Sequence, residues 1–151
     1  RADQLCYDPE AGVFPALTIN RMSPSSWKRG HGHGIFAVRD YLAHLEEHQI
    51  PVINGSHAWS VEISKARQLD LFRRAGVAYP KARVINHPSL AAEAARGLRF
   101  PVVIKPNIGG SGAGIVRFDS PEEVAAAQLD LGYDQVGLIQ EFVPARGGVI
   151  T

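Results

Sequence analysis

The residues best suited to chemistry in this chain are Lys105 and the four glycines that follow it, Gly109, Gly110, Gly112 and Gly114. They sit in Val102–Phe118, which reads VVIKPNIGGSGAGIVRF. Glycine lets a backbone adopt positive φ and approach a ligand closely. Successive exposed N–H groups in such a loop form an anion-binding concavity. Lys105 sets one positive charge beside that concavity. A fixed charge beside bare amides suits a polyphosphate. The plain alternative is a glycine-rich hairpin with no ligand, and the lysine at its entrance favours the phosphate reading.

The elements around the loop sharpen this. Val102, Val103 and Ile104 on one side and Ile115 and Val116 on the other are β-branched, so both flanks predict strands. The loop is not a Walker A sequence, because no Gly-Lys-Ser/Thr follows. It is not a Rossmann fingerprint either, because the chain returns as a strand instead of entering a helix. A glycine hairpin laid over phosphates is the way in which kinases cover a nucleotide, here with a different sequence.

Other candidates are single residues. Arg21 follows a short apolar strand predicted at 16–20. Ligands in open α/β sheets gather beyond the carboxyl ends of strands, so Arg21 is a candidate grip on a substrate carboxylate; a solvated loop arginine is the plain reading. Lys65 falls in the first turn of a helix predicted at 64–75, where it opposes the helix dipole and so is expected to find a partner such as an anion. His31 and His33 lie in a Gly-His-Gly-His-Gly tract, but two histidines do not complete a metal site, and no metal-ligating residues are assigned.

Taken in order, 1–15 reads as loop, 16–20 as a buried strand, 35–48 as a helix with Ile35, Val38, Leu42 and Leu45 on one face, and 50–54 as a strand. Strand, helix, strand predicts a βαβ unit. Residues 57–62 read as a connector. The helix at 64–75 has Ala66, Leu69, Phe72 and Arg73 marking its faces, with Gly76 as its stop. A strand at 80–86, a helix at 89–96 capped by Ser89, and the central hairpin follow. Ser120-Pro121-Glu122-Glu123 opens a helix expected to run to about Leu131. A strand at 136–143 and a turn at 144–148 complete the chain.

A length of 151 residues allows one domain or parts of two. Hydrophobic content of 45% with 21% charged residues is that of a soluble globular protein. A net charge of +1 gives no electrostatic reason to expect nucleic acid or an acidic membrane as partner. No apolar run approaches the roughly 20 residues of a membrane span. Cys6, the single cysteine, excludes an intramolecular disulfide and fits a reducing cytosol, so a cytoplasmic location is expected.

A helix carrying Lys65, a strand ending in Lys105, a glycine hairpin and then Gln140-Glu141-Phe142-Val143 resemble the ATP-grasp ligases, and most nearly the RimK-type α-L-glutamate ligases. Glutathione synthetase and D-alanine–D-alanine ligase look like more distant relatives. The resemblance covers roughly 17–151. It implies a fold of mixed α/β and α+β class: 1–62 as the C-terminal part of a pre-ATP-grasp α/β domain, 63–134 as the small, lid subdomain, and 135–151 as a hinge strand and the start of a truncated large subdomain.

The resemblance also implies roles. Lys65 and Lys105 match the lysines on the α- and β-phosphates of ATP. Gly109, Gly110, Ser111, Gly112 and Gly114 match the loop over the β- and γ-phosphates. Gln140, Glu141, Phe142 and Val143 match the hinge, whose main chain meets the adenine edge. Two departures stand out: Ser64 precedes Lys65 where Asp is common, and the ribose-binding carboxylate falls at Ile150. Either the ribose is held elsewhere or the correspondence slips at Gly147-Gly148.

The implied reaction is ATP-dependent carboxylate–amine ligation through an acyl phosphate, adding an amino acid such as glutamate to a small-molecule or peptide carboxylate. Mg2+ is the implied metal, its ligands expected beyond residue 151. The 151 residues alone are then expected to be inactive. A homo-oligomer is a possible assembly. The alternative is a non-catalytic ATP-grasp-like nucleotide-binding or regulatory module. A plain structural α/β domain is the third reading.

Overall fold

The computed structural model describes residues 4–10 and 12–144. The turn expected at 144–148, apart from Pro144, and the correspondence at Ile150 lie outside the described residues. The chain forms two compact units, Arg1–Gln68 with Ile108–Ser111, and Leu69–Asn107 with Gly112–Thr151. The glycine loop is thus shared: its first half packs with one unit and its second half with the other.

In the first unit, strands β1 (Thr18–Ile19) and β2 (Val52–Ile53) pair in parallel, Thr18 opposite Val52 and Ile19 opposite Ile53. Helix α1 (His33–Glu47) crosses between them, which gives the expected βαβ unit. Its apolar stripe does what its spacing predicts: Ile35, Val38 and Leu42 pack with Trp59, Ile63 and Ile108. Trp59 donates its indole N–H to the Ile35 carbonyl at 3.0 Å, so the largest buried side chain carries no unpaired polar atom. The expectation that β1 is buried fails for Ile19, which is 54% exposed. The pleat allows only one residue of each pair to face the helices. Val52 packs against the core, and the Ile19–Ile53 pair takes the other side.

Residues expected to be a connector form helix α2 (Ser56–Glu62). Its first turn is held by a carboxylate from α1: Glu46 accepts the Ser56 backbone N–H at 2.8 Å and the Ser56 hydroxyl as well. A Cβ at Gly55 would lie 2.0 Å from Glu46 Oε1, so a larger residue there would displace this carboxylate from the cap. Helix α3 (Lys65–Arg74) forms close to the expected span and ends in a Schellman turn. In that turn Val77 N–H bonds the Phe72 carbonyl and Gly76 N–H that of Arg73. Its amphipathic face does not become core, since no α3 residue is buried.

The second unit is a four-stranded antiparallel sheet in the order β3-β6-β4-β5, formed by β3 (Ala82–Ile85), β4 (Val102–Pro106), β5 (Val116–Phe118) and β6 (Gly137–Glu141). Helices α4 (Ala91–Ala95) and α5 (Pro121–Ala126) cover one face. Val102, Ile104 and Ile139 point there, to meet Ala91, Ala95, Leu98, Phe118, Val124 and Leu131.

Two helix boundaries differ from expectation. The helix expected to start at Ser89 begins as a 3-10 turn, Pro88–Leu90, capped by His87 Nδ1 on the Ser89 N–H. The helix from Ser120 ends at Ala126, because Ala127 is extended, and Leu131 enters the core from an irregular segment. The Ser120 cap itself forms, its hydroxyl accepting the Glu123 N–H while Glu123 reaches back to the Asp119 N–H.

Ile139 is fully buried on β6, whereas Val84 on the neighbouring strand is 50% exposed. Ile139→Ala is expected to lower unfolding free energy by about 2–5 kcal/mol. Val84→Ala should change it by less than about 1 kcal/mol. Urea titrations of both variants check the difference, and equal losses would contradict the burial described.

Candidate functional site

Lys105 is the penultimate residue of β4, paired with Leu138 and two pairs along from Val103–Gln140. Ile104 and Ile139 take the helix-covered face, so Lys105 and Gln140 share the other. Diagonal neighbours on one sheet face are within reach of long side chains. Lys105 Nζ accordingly donates to Gln140 Oε1 at 2.5 Å, and Gln140 Nε2 donates to the Pro80 carbonyl at 3.4 Å. Gln140 is 8% exposed. Burial holds the Lys105 ammonium below its ordinary pKa, because leaving water penalises the charged form. The sequence identified both residues, but their contact depends on a register that no local pattern prints.

The remaining hinge residues divide. Glu141 is committed to structure: its carboxylate accepts the Arg99 backbone N–H at 2.9 Å and its own N–H bonds the Lys81 carbonyl. Phe142 N–H is taken by the Pro101 carbonyl at 2.9 Å, and its ring lies under the Arg117 guanidinium at 4.9 Å. Val143 N–H pairs with nothing among the described residues. Of the last three hinge residues it is therefore the one with a main-chain donor to offer.

The loop's second half is shaped by sterics. Gly114 has φ +71°, and a Cβ there would lie 2.8 Å from the Pro106 ring. Gly112 has φ +70° with open space around it, and Ser111 also lies at positive φ, 56°. The first half is tied down within its own unit. Lys65 Nζ donates to the Gly109 carbonyl at 3.3 Å, so a carbonyl oxygen is among its partners. Lys28 Nζ donates to the Gly110 carbonyl at 3.1 Å. Lys28 belongs to a 3-10 turn, Pro24–Arg29, which sequence reading passed over as part of a polar loop.

Arg21 lines a cavity of about 350 Å³ with Asn20, Met22, Asn54, Ala58, Trp59 and Glu62. Asn20 and Asn54 stand at the carboxyl ends of the two parallel strands and clamp each other. Asn20 Nδ2 bonds the Asn54 carbonyl at 3.2 Å, and Asn54 Nδ2 the Asn20 carbonyl at 3.1 Å. Neither Arg21 nor Glu62 is in an ion pair among the described residues. An unpaired cation and an unpaired anion on one concave lining suit a ligand carrying both signs. The strand-end rule found Arg21; Glu62 was missed because its segment did not read as a helix. Among the described residues no three His, Cys, Asp or Glu gather as metal ligands.

Known proteins resemble the chain in sequence and in fold. The chain is 30% identical over 94 residues to a D-alanine–D-alanine ligase of Geobacter sulfurreducens, and 33% identical over 99 residues to a protein of Teredinibacter turnerae named "Probable alpha-L-glutamate ligase". These stretches take up 62% and 64% of this chain but 30% and 33% of the relatives, so the match spans about a third of their length. Among solved structures, an ATP-grasp RimK domain protein from Sphaerobacter thermophilus superimposes with a TM-score of 0.66 at 21% identity, over 95% of this chain and 53% of that one. An N5-carboxyaminoimidazole ribonucleotide synthetase from Thermus thermophilus gives 0.60 at 21%, over 85% and 31%. No family model matches the sequence. The fold is that of part of an ATP-grasp protein, and the resemblance to ATP-grasp ligases close to the RimK type stands.

Lys105 also carries a pH dependence. Its folded pKa lies below the 10.5 of an unperturbed lysine. At neutral pH the group is charged in both folded and unfolded states, and its burial opposes folding. As pH rises through the lowered folded value toward 10.5, the folded state sheds the proton first and this opposition fades. Wild type should therefore gain stability relative to Lys105→Met across that alkaline window. Unfolding midpoints of both proteins against pH test it, and a constant difference would show that Lys105 is not desolvated.

Proposed function

We propose that this chain is the N-terminal part of an ATP-dependent carboxylate–amine ligase. In this reading it forms an amide through an acyl phosphate, with an amino acid such as glutamate as one substrate. The observation that carries the reading is the half-buried Lys105 ammonium, held on Gln140 at the mouth of a glycine loop in which Gly112 and Gly114 lie at positive φ. The likeness to two ligases in sequence and to ATP-grasp structures in fold supports it.

The residues present fit ATP. A desolvated lysine binds a phosphate oxygen more strongly than a solvated one, because local charge interactions are less screened. In this proposal Lys105 and Lys65 hold α- and β-phosphate oxygens. Gly109, Gly110, Ser111, Gly112 and Gly114 lie over the β- and γ-phosphates. Val143 N–H, with the carbonyls of Gln140 and Glu141, serves the adenine edge. Arg21 holds a substrate carboxylate, with Glu62 placed on the same lining for an ammonium. ATP, when bound, supplies the phosphoryl group that activates the acceptor carboxylate. The contribution of these residues is positioning and charge neutralisation. The described residues bring together no set of magnesium ligands, and no step is assigned to the metal. Subdomain limits near 62 and 134, and a cytoplasmic location, belong to the same proposal.

A charge-assisted contact is worth about 1.5–3 kcal/mol. Lys105→Ala in the full-length protein should therefore weaken ATP binding by roughly ten- to a hundredfold. Lys105→Arg should weaken it too, since a planar fork does not replace a point charge in a tight site. Calorimetric titration with ATP and magnesium measures both, and unchanged affinity in Lys105→Ala would remove the lysine from the site.

A Cβ on Gly112 meets open space, so the penalty of Gly112→Val is backbone strain at positive φ. Turnover should fall further than the unfolding midpoint does, because the side chain obstructs approach to phosphates. Collapse of stability with turnover intact would make the loop purely structural.

A further inference from the structure

The first half of the glycine loop lies on the 3-10 turn Pro24–Arg29 in an arrangement that leaves hydrogen-bonding capacity unspent. Two ammonium groups converge on consecutive glycine carbonyls, Lys65 on Gly109 at 3.3 Å and Lys28 on Gly110 at 3.1 Å. Trp27 Nε1 is buried with no hydrogen-bond partner among the described residues, and so is Ser26 Oγ. Ser26 is 4% exposed. A Cβ on Gly109 would stand 3.8 Å from Lys65 Nζ and 4.0 Å from Trp27 Nε1, so both donors border the space beside that glycine. An orphaned buried donor costs about 1–3 kcal/mol, and most native donors avoid the loss.

Every strong group at this spot is a donor. Indole N–H and ammonium cannot accept a hydrogen bond, so they cannot satisfy one another. What they share is complementarity to an oxyanion. A neutral glycine carbonyl is a weaker acceptor than an oxyanion, and here it leaves the indole unserved.

We infer that Trp27, Lys28 and Lys65 form an oxyanion subsite in which the carbonyls of Gly109 and Gly110 stand in for the ligand. An arriving oxyanion would take the two ammonium groups from the glycine carbonyls and give the Trp27 indole its missing acceptor. The loop's first half is then released from the 3-10 turn when the site fills. This shares Lys65, Gly109 and Gly110 with the nucleotide contacts proposed above and goes beyond them in Trp27 and Lys28. It rests on the ligase reading only in naming the ligand as the anionic end of the acceptor, either its carboxylate or the phosphoryl group it gains.

The test uses the full-length protein without nucleotide, titrated separately with inorganic phosphate and with acetate, to distinguish tetrahedral from planar oxyanions. The readout is the indole N–H resonance of Trp27, assigned by its loss in Trp27→Phe. It should shift on addition of one of the two anions, while that of Trp59, already bonded to the Ile35 carbonyl, stays in place. Lys28→Met alters an exposed side chain and Trp27→Phe keeps the ring, so both should fold. Each should weaken binding of that anion roughly five- to twentyfold by calorimetry. A motionless Trp27 resonance with both anions, or anion binding indifferent to both substitutions, would overturn the subsite and leave the ligase reading standing. A wild-type protein that binds the anion at Trp27 but no ATP would remove the ligase reading and leave the subsite standing.

Discussion

A strand can press only alternate side chains against the helices that cover its sheet, and the second unit depends on that constraint. Val102 and Ile104 are spent on the core, so Lys105 must emerge on the opposite face, where register brings Gln140 within reach. Had β4 slipped by one residue, Lys105 would enter the apolar cluster and Ile104 would leave it, at a cost no local interaction could offset. The apolar core therefore fixes where the lysine stands. β6 lies between two partner strands, buried over four of its five residues, which gives Gln140 little freedom to turn away.

The loop obeys a different competition. Its glycines can turn either carbonyls or amides toward a cation-rich surface, and here the first two offer carbonyls. Those bonds are neutral on one side and partly exposed, so each is worth less than an ion pair with an oxyanion. Fixing glycine backbone is entropically expensive, which keeps such a loop near the balance between held and released. A small difference in acceptor strength can then decide its conformation. Lys28 and Lys65 supply that difference in the first unit, while the Pro106 ring restricts Gly114 in the second.

How much of this the sequence discloses depends on how local the cause is. The Ser120 cap, the Gly76 turn, the α1 stripe and the β4 strand rest on neighbours within a few residues, and all were readable. Helix α2 was not, because its first turn is held by Glu46, ten residues earlier and on another helix. The end of α5 was not either. Its apolar residues continue past Ala126, and the demand that Leu131 reach the sheet core is tertiary. The same division runs through the candidate sites. Lys65, Lys105, Arg21 and the glycines could be named from type and position. The Lys105–Gln140 contact, the Glu62 side of the Arg21 cavity and the Trp27–Lys28 side of the loop required the fold.

The plain structural reading of the hairpin meets its difficulty at Lys105. A scaffold gains nothing from a half-desolvated ammonium on a strand, since an apolar side chain of similar length would pack there without the loss of hydration. Gln140 softens the loss but cannot cancel it, because an amide oxygen carries only a partial charge. The arrangement becomes economical once an anion of full charge is expected beside it. Binding then restores the electrostatic partner that folding withheld, and the desolvation already suffered by the lysine need not be repeated when the ligand arrives. Trp27 presents the same logic with a neutral donor, buried and unserved until an oxygen reaches it. Lys105 in the second unit and Trp27 in the first are both donors that stability alone leaves unexplained, and donors in want of oxygen are the common requirement of phosphate and carboxylate recognition.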